Sequence, residues 1–209
     1  RSSENILLIT KGTAIPEQNM EDLMSNDTLA NPAPLGLMGF GMTTVLLNFH
    51  NAGFYPLDTM ILAMGFFYGG LAQIIAGILE FKKGNTFGTT AFTSYGLFWQ
   101  TLVFLFIVPN TPLWAQAPNA LSMGMFFLFW GIFTFFLFIG TLKANRASQV
   151  IFLSLTILFL LLAARKFTGS ETIERIAGWE GIFCGLSAIY TALGEVLNEK
   201  FGKTILPLG

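Results

Sequence analysis

The sequence predicts an all-α polytopic membrane protein with six transmembrane helices per subunit. Three observations lead there. Charged residues make up 11% of the chain, against about 25% in a soluble domain. The charges cluster, and the runs between clusters approach the roughly 20 apolar residues that a bilayer requires. Phenylalanine is abundant, at 23 residues, and a Phe-rich, Lys-poor chain fits lipid better than water. Within a bilayer each backbone polar group must be satisfied internally, so the runs are helices.

Residues 1–30 read as a polar, acidic cytoplasmic tail carrying Glu17, Glu21, Asp22 and Asp27. Its apolar run Ile6-Leu7-Leu8-Ile9 is too brief for the core of a secretory signal. Residues 31–200 are expected to form a six-helix transmembrane domain, with spans over 34–49, 58–81, 89–108, 119–142, 147–164 and 173–197. Residues 201–209 form a short C-terminal tail. The first span opens on Asn31-Pro32-Ala33-Pro34, with Asn available to cap and Pro where the first amides are unpaired. Such a start is expected to present free amides and positive dipole to an anion, which makes Asn31, Pro32 and Pro34 candidates for carboxylate entry.

Orientation follows from Lys and Arg. Lys82, Lys83, Lys143, Arg146, Lys200, Lys203, Arg1 and Lys11 fall on one side, and Arg165, Lys166 and Arg175 on the other. The excess predicts both termini in the cytoplasm of a multi-pass plasma-membrane protein. Trp99, Trp114, Trp130 and Trp179 serve as interfacial anchors or as packing, and sequence does not sort them. Gly65 with Gly69, and Gly181 with Gly185, are spaced for close helix packing.

Polar residues inside a membrane are costly and mark function by default. The last span carries Glu180, Cys184, Ser187, Thr191, Glu195 and Asn198 on one face. That stripe suits either a water-lined path or interhelical hydrogen bonding. The second span sets Gln73 and Glu80 seven residues apart. The third stacks Thr93 under Gln100, with Tyr95 beside them. Thr44 in the first span completes the candidate pathway of Asn31, Pro32, Pro34, Thr44, Gln73, Thr93, Gln100, Ser187 and Thr191. Glu80 and Glu195 are the candidates for proton linkage. No Lys or Arg sits at mid-membrane depth, where a firmly held carboxylate would ordinarily meet one. An anion must therefore be met by hydroxyls, amides and helix ends, or arrive protonated. The neutral acid crosses an apolar gate far more cheaply than its anion.

Other classes are excluded or unsupported. A net charge of −1 and a pI near 5.8 give no nucleic-acid footprint. One cysteine, Cys184, rules out an internal disulfide. There is no HExxH, Walker loop, GxSxG or CxxC, so no enzyme, metal site or cofactor is expected. The one histidine, His50, falls at the end of the first span, as an interfacial residue or a proton relay.

The heptapeptide Asn31-Pro32-Ala33-Pro34-Leu35-Gly36-Leu37 resembles the signature of the acetate uptake transporter family, the succinate–acetate permeases. Further matching stretches are Phe67-Tyr68-Gly69-Gly70, Gly84-Asn85-Thr86-Phe87-Gly88, Ser94-Tyr95-Gly96, Ala177-Gly178-Trp179 and Leu206-Pro207. The resemblance covers about residues 31–209. It implies six helices per subunit, a homo-hexamer with one pathway per subunit, and transport of acetate and sometimes succinate with proton movement. It also implies a central constriction of a Phe, a Tyr and a Leu, which fall on Phe40, Tyr95 and Leu155. Ala188 matches a position associated with substrate choice. From the residues alone, only Tyr95 would be ranked.

Overall fold

The computed structural model describes residues 29–112 and 116–209. The expected N-terminal tail lies almost wholly outside these residues, as does Trp114. Residues Asn31–Gly209 form one unit of six long helices: α1 Ala33–Asn51, α2 Thr59–Lys82, α3 Thr86–Ile107, α4 Ala120–Thr141, α5 Arg146–Thr168 and α6 Glu171–Phe201.

Side-chain caps set most of the starts. Asp58 accepts from the Met60 and Ile61 amides, Asn85 from Gly88, Asn119 from Ser122, Asn145 from Ser148 and Ser170 from Ile173. Left-handed glycines set two of the stops, Gly169 at φ 72° after α5 and Gly202 at φ 61° after α6. Both helices outrun the expected spans. Arg165 and Lys166 break the hydropathy but favour a helix C-terminus, and Glu171 and Glu174 favour an N-terminus, so the helices continue through them. At 31 residues, α6 is about 46 Å long and projects beyond a hydrocarbon core of about 30 Å.

Five of the six, α2 to α6, are long and apolar enough to cross a bilayer. The 19-residue α1 is less apolar because it is an inner helix. Gly36, Gly39, Gly41, Thr43, Thr44 and Asn48 are all buried along it. It packs most extensively on α6, and also on α2 and α3. At the α1–α6 seam Gly41 faces the Gly185 carbonyl and Gly185 faces the Gly41 carbonyl. A Cβ built on either would come within 2.7 Å of that oxygen. The two backbones therefore approach closely only with glycine at both positions.

The opposite side of the bundle is built differently. The backbones of α3 and α4 barely meet, and large rings span the gap. Phe98 reaches Phe126 and Trp130 at centroid distances of 5.5 and 5.0 Å, and Tyr95 reaches Phe133 at 5.8 Å. A tight glycine seam on one side and an aromatic spacer on the other leave room between them.

The middle of α2, Met64–Ala72, is π-helical. Its wider turn sets Gly65 and Gly69 against Trp99 of α3, with Gly69 also touching Thr43 of α1. Past Gly202 the chain folds back along α6. The Asn198 carboxamide accepts from the Ile205 and Leu206 amides and donates to the Leu206 carbonyl. The Ala147 amide at the start of α5 donates to the Leu208 carbonyl at 2.9 Å.

Candidate functional site

Two cavities lie between the seam and the spacer, one above the other along the bundle. The near cavity opens toward Asn31 and the chain end, and has a volume of about 390 Å³. The far cavity opens toward His50 and the α5–α6 turn, and has a volume of about 130 Å³. Among the described residues, three line both: Phe40, Tyr95 and Leu155. They come from α1, α3 and α5, and each is at most 6% exposed. The Phe40 and Tyr95 rings lie 6.3 Å apart, tilted by 41°. The partition between the cavities is thus two rings and an isobutyl group, with one hydroxyl.

That hydroxyl points away from the partition. Tyr95 donates to Thr134 Oγ1 of α4 at 2.9 Å, and Thr134 in turn donates to the Trp130 carbonyl at 2.7 Å. The phenol proton is therefore engaged within the protein.

Polar atoms facing the cavities are few, and several lack partners. Gln73 lines the near cavity, 1% exposed, and its Oε1 has no hydrogen bond. Thr44 and Trp99 line the far cavity, and neither Thr44 Oγ1 nor Trp99 Nε1 has a hydrogen bond. A buried polar atom left unpaired costs about 1–3 kcal/mol. Three residues that line the two cavities thus each hold a buried polar atom with no partner among the described residues. An indole N–H and a hydroxyl can donate to a carboxylate, and an amide oxygen can accept from a carboxylic acid.

Charges gather at the two mouths. The near cavity is lined by Glu80, Glu195 and Lys143. Asn85 Nδ2 donates to Glu80 Oε2 at 2.6 Å and Asn31 Nδ2 to Glu195 Oε2 at 2.8 Å. Lys83 Nζ donates to Asn31 Oδ1 at 3.0 Å. The far cavity is lined by His50, Arg165, Lys166 and Glu174. His50 Nδ1 lies 2.9 Å from the Tyr55 carbonyl, which can only accept, so that nitrogen carries a proton. Burial first and then the Asp58 carboxylate hold Tyr55 above the usual phenol range, and its hydroxyl donates to the Leu46 carbonyl at 2.6 Å.

The start of α1 differs from the expectation. Its first-turn amides are not free: Ala33 donates to Asn31 Oδ1, Pro34 has none, and Leu35 and Gly36 donate to the Pro32 carbonyl. Asn31 ties α1 to Glu195 of α6 and to Lys83. Pro32 and Pro34 shape the start of the helix, and neither lines a cavity.

The remaining candidates divide. Thr44, Gln73, Glu80 and Glu195 line a cavity. Thr93 and Gln100 instead pack against Gly77 and Gly70 of α2. Ser187 and Thr191 return their hydroxyls to the carbonyls of Cys184 and Ser187 and face an outer groove with Arg146, Val150 and Leu208. The polar face of α6 thus serves mainly α5 and the folded-back chain end. Cys184 Sγ lies 3.8 Å from the Ile151 carbonyl, and of this face only Glu195 lines either of the two cavities. Ala188 is fully buried in the same apolar cluster as Phe40, Tyr95 and Leu155. The sequence reading missed Asn48, 2% exposed in the far cavity. Its spacing of four from Thr44 and eight from Phe40 places all three on one helical face, a signal that could have found it.

A model of the GPR1/FUN34/yaaH family matches residues 12–207. A relative from Escherichia coli K12 named succinate-acetate/proton symporter SatP is 61% identical over 186 residues, 89% of this chain and 98% of its own length. Acetate permease A of Emericella nidulans is 34% identical over 199 residues, 86% of this chain and 65% of its own length. A solved structure, that of the bacterial acetate channel SatP, superposes with a TM-score of 0.86 at 62% identity, over 87% of this chain and all of that one.

Proposed function

The chain belongs to the GPR1/FUN34/yaaH family, and on that premise we propose how it moves small carboxylates, acetate foremost and succinate with it, across a membrane. It is a transport protein rather than an enzyme. The single observation that carries the reading is the pair of cavities, one reached from each end of the bundle, sharing only Phe40, Tyr95 and Leu155. These three are the constriction. Acetate occupies the far cavity against Trp99 Nε1 and Thr44 Oγ1, and the near cavity against Gln73 Oε1. Apolar rings between the two stations exclude water and ions. The constriction favours the neutral acid, because an unpaired buried carboxylate costs several kcal/mol. The proton moves with the carboxylate, and Glu80 and Glu195 at the near mouth exchange it. Ala188, packed behind the constriction, sets its size.

The Lys and Arg excess on the side of the chain end supports cytoplasmic termini in the cell membrane. The apolar faces of α2, α3, α4 and α6, with Phe67, Phe104, Phe136 and Phe183 each more than half exposed, are available to lipid and to neighbouring copies in a homo-hexamer.

A second reading is a passive channel without coupling. It is favoured by one observation: the constriction itself contains no carboxyl group, where a relay ordinarily needs a titratable one. Radiolabelled acetate uptake into proteoliposomes, measured against protein-free liposomes, tests both. Protein-dependent uptake that follows an imposed pH gradient and is indifferent to an imposed voltage establishes movement of acetate with its proton. Protein-dependent flux that follows an imposed voltage at equal pH establishes the uncoupled anion channel, and the absence of protein-dependent flux overturns both.

A further inference from the structure

The two mouths differ in charge. The near mouth is lined by one cation, Lys143, and two carboxyl groups, Glu80 and Glu195, and Lys83, bonded to the Asn31 that holds Glu195, brings the balance there to neutral. The far mouth is lined by two cations, Arg165 and Lys166, and one carboxylate, Glu174, with His50 beside them. At the far mouth the α5 end meets the α6 start. Arg165 Nε donates to Glu174 Oε2 at 2.8 Å across the turn, with the two side chains 24% and 33% exposed. The bond occupies one of the five guanidinium N–H groups, and the other four remain for a further acceptor. Lys166 makes no ion pair among the described residues.

We propose that Arg165, Glu174 and Lys166 together set the charge of the far mouth, Lys166 supplying the excess that the ion pair leaves, and thereby the rate at which carboxylate anions are captured from that side. The inference rests on the reading that acetate passes through the two cavities, and adds to it a capture step. At neutral pH nearly all acetate is ionised, so the species that arrives at either mouth is the anion. A cleft lined by one sign of charge concentrates ions of the other sign and raises their on-rate. The far mouth, with a cationic excess among its lining residues and low-dielectric walls, gathers acetate. Glu174 tempers the attraction: it cancels one cation, and by holding Arg165 it keeps the guanidinium at the rim instead of down the cavity. Capture and passage are then separate steps, the first electrostatic at the rim, the second limited by the apolar partition.

A purely structural pair makes a different prediction. If it only staples the α5–α6 turn, removing either partner loosens the turn and leaves the salt response unchanged. The test uses proteoliposomes sorted by orientation and radiolabelled acetate well below saturation at pH 7, in each direction. Glu174→Gln should raise initial uptake from the far side about threefold at low ionic strength, the Boltzmann factor of one unit charge about 7 Å away in water. Lys166→Gln should lower it by a similar factor. Both effects should fade toward about 1 M salt, where screening acts within about 3 Å, and flux from the near side should not change. The exchange Arg165→Glu with Glu174→Arg keeps pair and net charge, and should restore parental flux and salt response. Parental flux that is present, but unaltered in direction and salt slope by Glu174→Gln and Lys166→Gln, overturns the proposal. Parental proteoliposomes with no flux above protein-free liposomes overturn the transport reading instead.

Discussion

Tyr95→Phe asks what the one hydroxyl at the constriction does. The side chain is 4% exposed, and its proton goes to Thr134, which is itself bonded to the Trp130 carbonyl. Removing the oxygen leaves Thr134 satisfied as a donor and keeps the ring facing Phe40, so the stability loss should be about 0.5–1.5 kcal/mol, one neutral hydrogen bond. The effect on transport separates two roles. If the hydroxyl donated to a passing carboxylate, its loss would remove a charge-assisted bond of about 1.5–3 kcal/mol, or roughly 10–150-fold in flux. With the proton engaged by Thr134, the oxygen can only accept from the acid form, a bond of about 1 kcal/mol. Acetate uptake by Tyr95→Phe proteoliposomes should therefore stay within about fivefold of the parent. A loss beyond tenfold, in a variant whose thermal midpoint shows it folded, would refute the assignment of the phenol proton to Thr134 during transport.

Leu155→Ala joins the two cavities. It should raise the ratio of lactate to acetate flux at least about fivefold, since relief of overpacking is worth about 1–3 kcal/mol; an unchanged ratio would remove Leu155 from the constriction. Asn31→Ala severs α1 from Glu195 and Lys83 and should cost about 1–3 kcal/mol of stability and reduce uptake with assembly intact, while parental uptake would show the bridge to be dispensable. Protein-dependent uptake should rise more than tenfold as external pH falls from about 7 to 5, following the acid form of a carboxyl with a pKa between about 4 and 5. A flat profile would mean that the anion is conducted.

The helices were legible because the signal is coarse, apolar runs of bilayer length separated by short polar loops; the caps Asp58, Asn85, Asn119, Asn145 and Ser170 entered only with the structure. Hydropathy misjudged the ends of α5 and α6, since Arg165 and Glu171 read as loop yet obey the helix dipole. The π-helical stretch of α2 had no local mark, because its glycines read equally well as ordinary packing. At the candidate site the cost of burying polar groups singled out Gln73, Glu80 and Glu195, and with Thr44 these line a cavity. It pointed with equal force to Thr93, Gln100, Ser187 and Thr191, which settle against glycines or their own backbone. One sequence shows which face of a helix is polar; it does not show whether that face meets a cavity, a neighbouring helix or a folded-back chain end. Phe40 and Leu155 were invisible to this reasoning, as apolar residues in an apolar span, and only the resemblance raised them.

The unpartnered indole of Trp99 gives the protein an optical reporter of its own. Trp99 lines the far cavity, whereas Trp130 packs among Phe98, Phe133 and Phe159 and Trp179 is 58% exposed. In a background with Trp114, Trp130 and Trp179 changed to Phe, the remaining emission comes from one ring that lines the far cavity. A carboxylate arriving there gains a donor and alters the polarity around the ring, so titration with acetate should shift the emission, and titration with chloride at equal ionic strength should not. Occupancy of one station could then be followed in real time in a membrane, without label and without waiting for transport to complete.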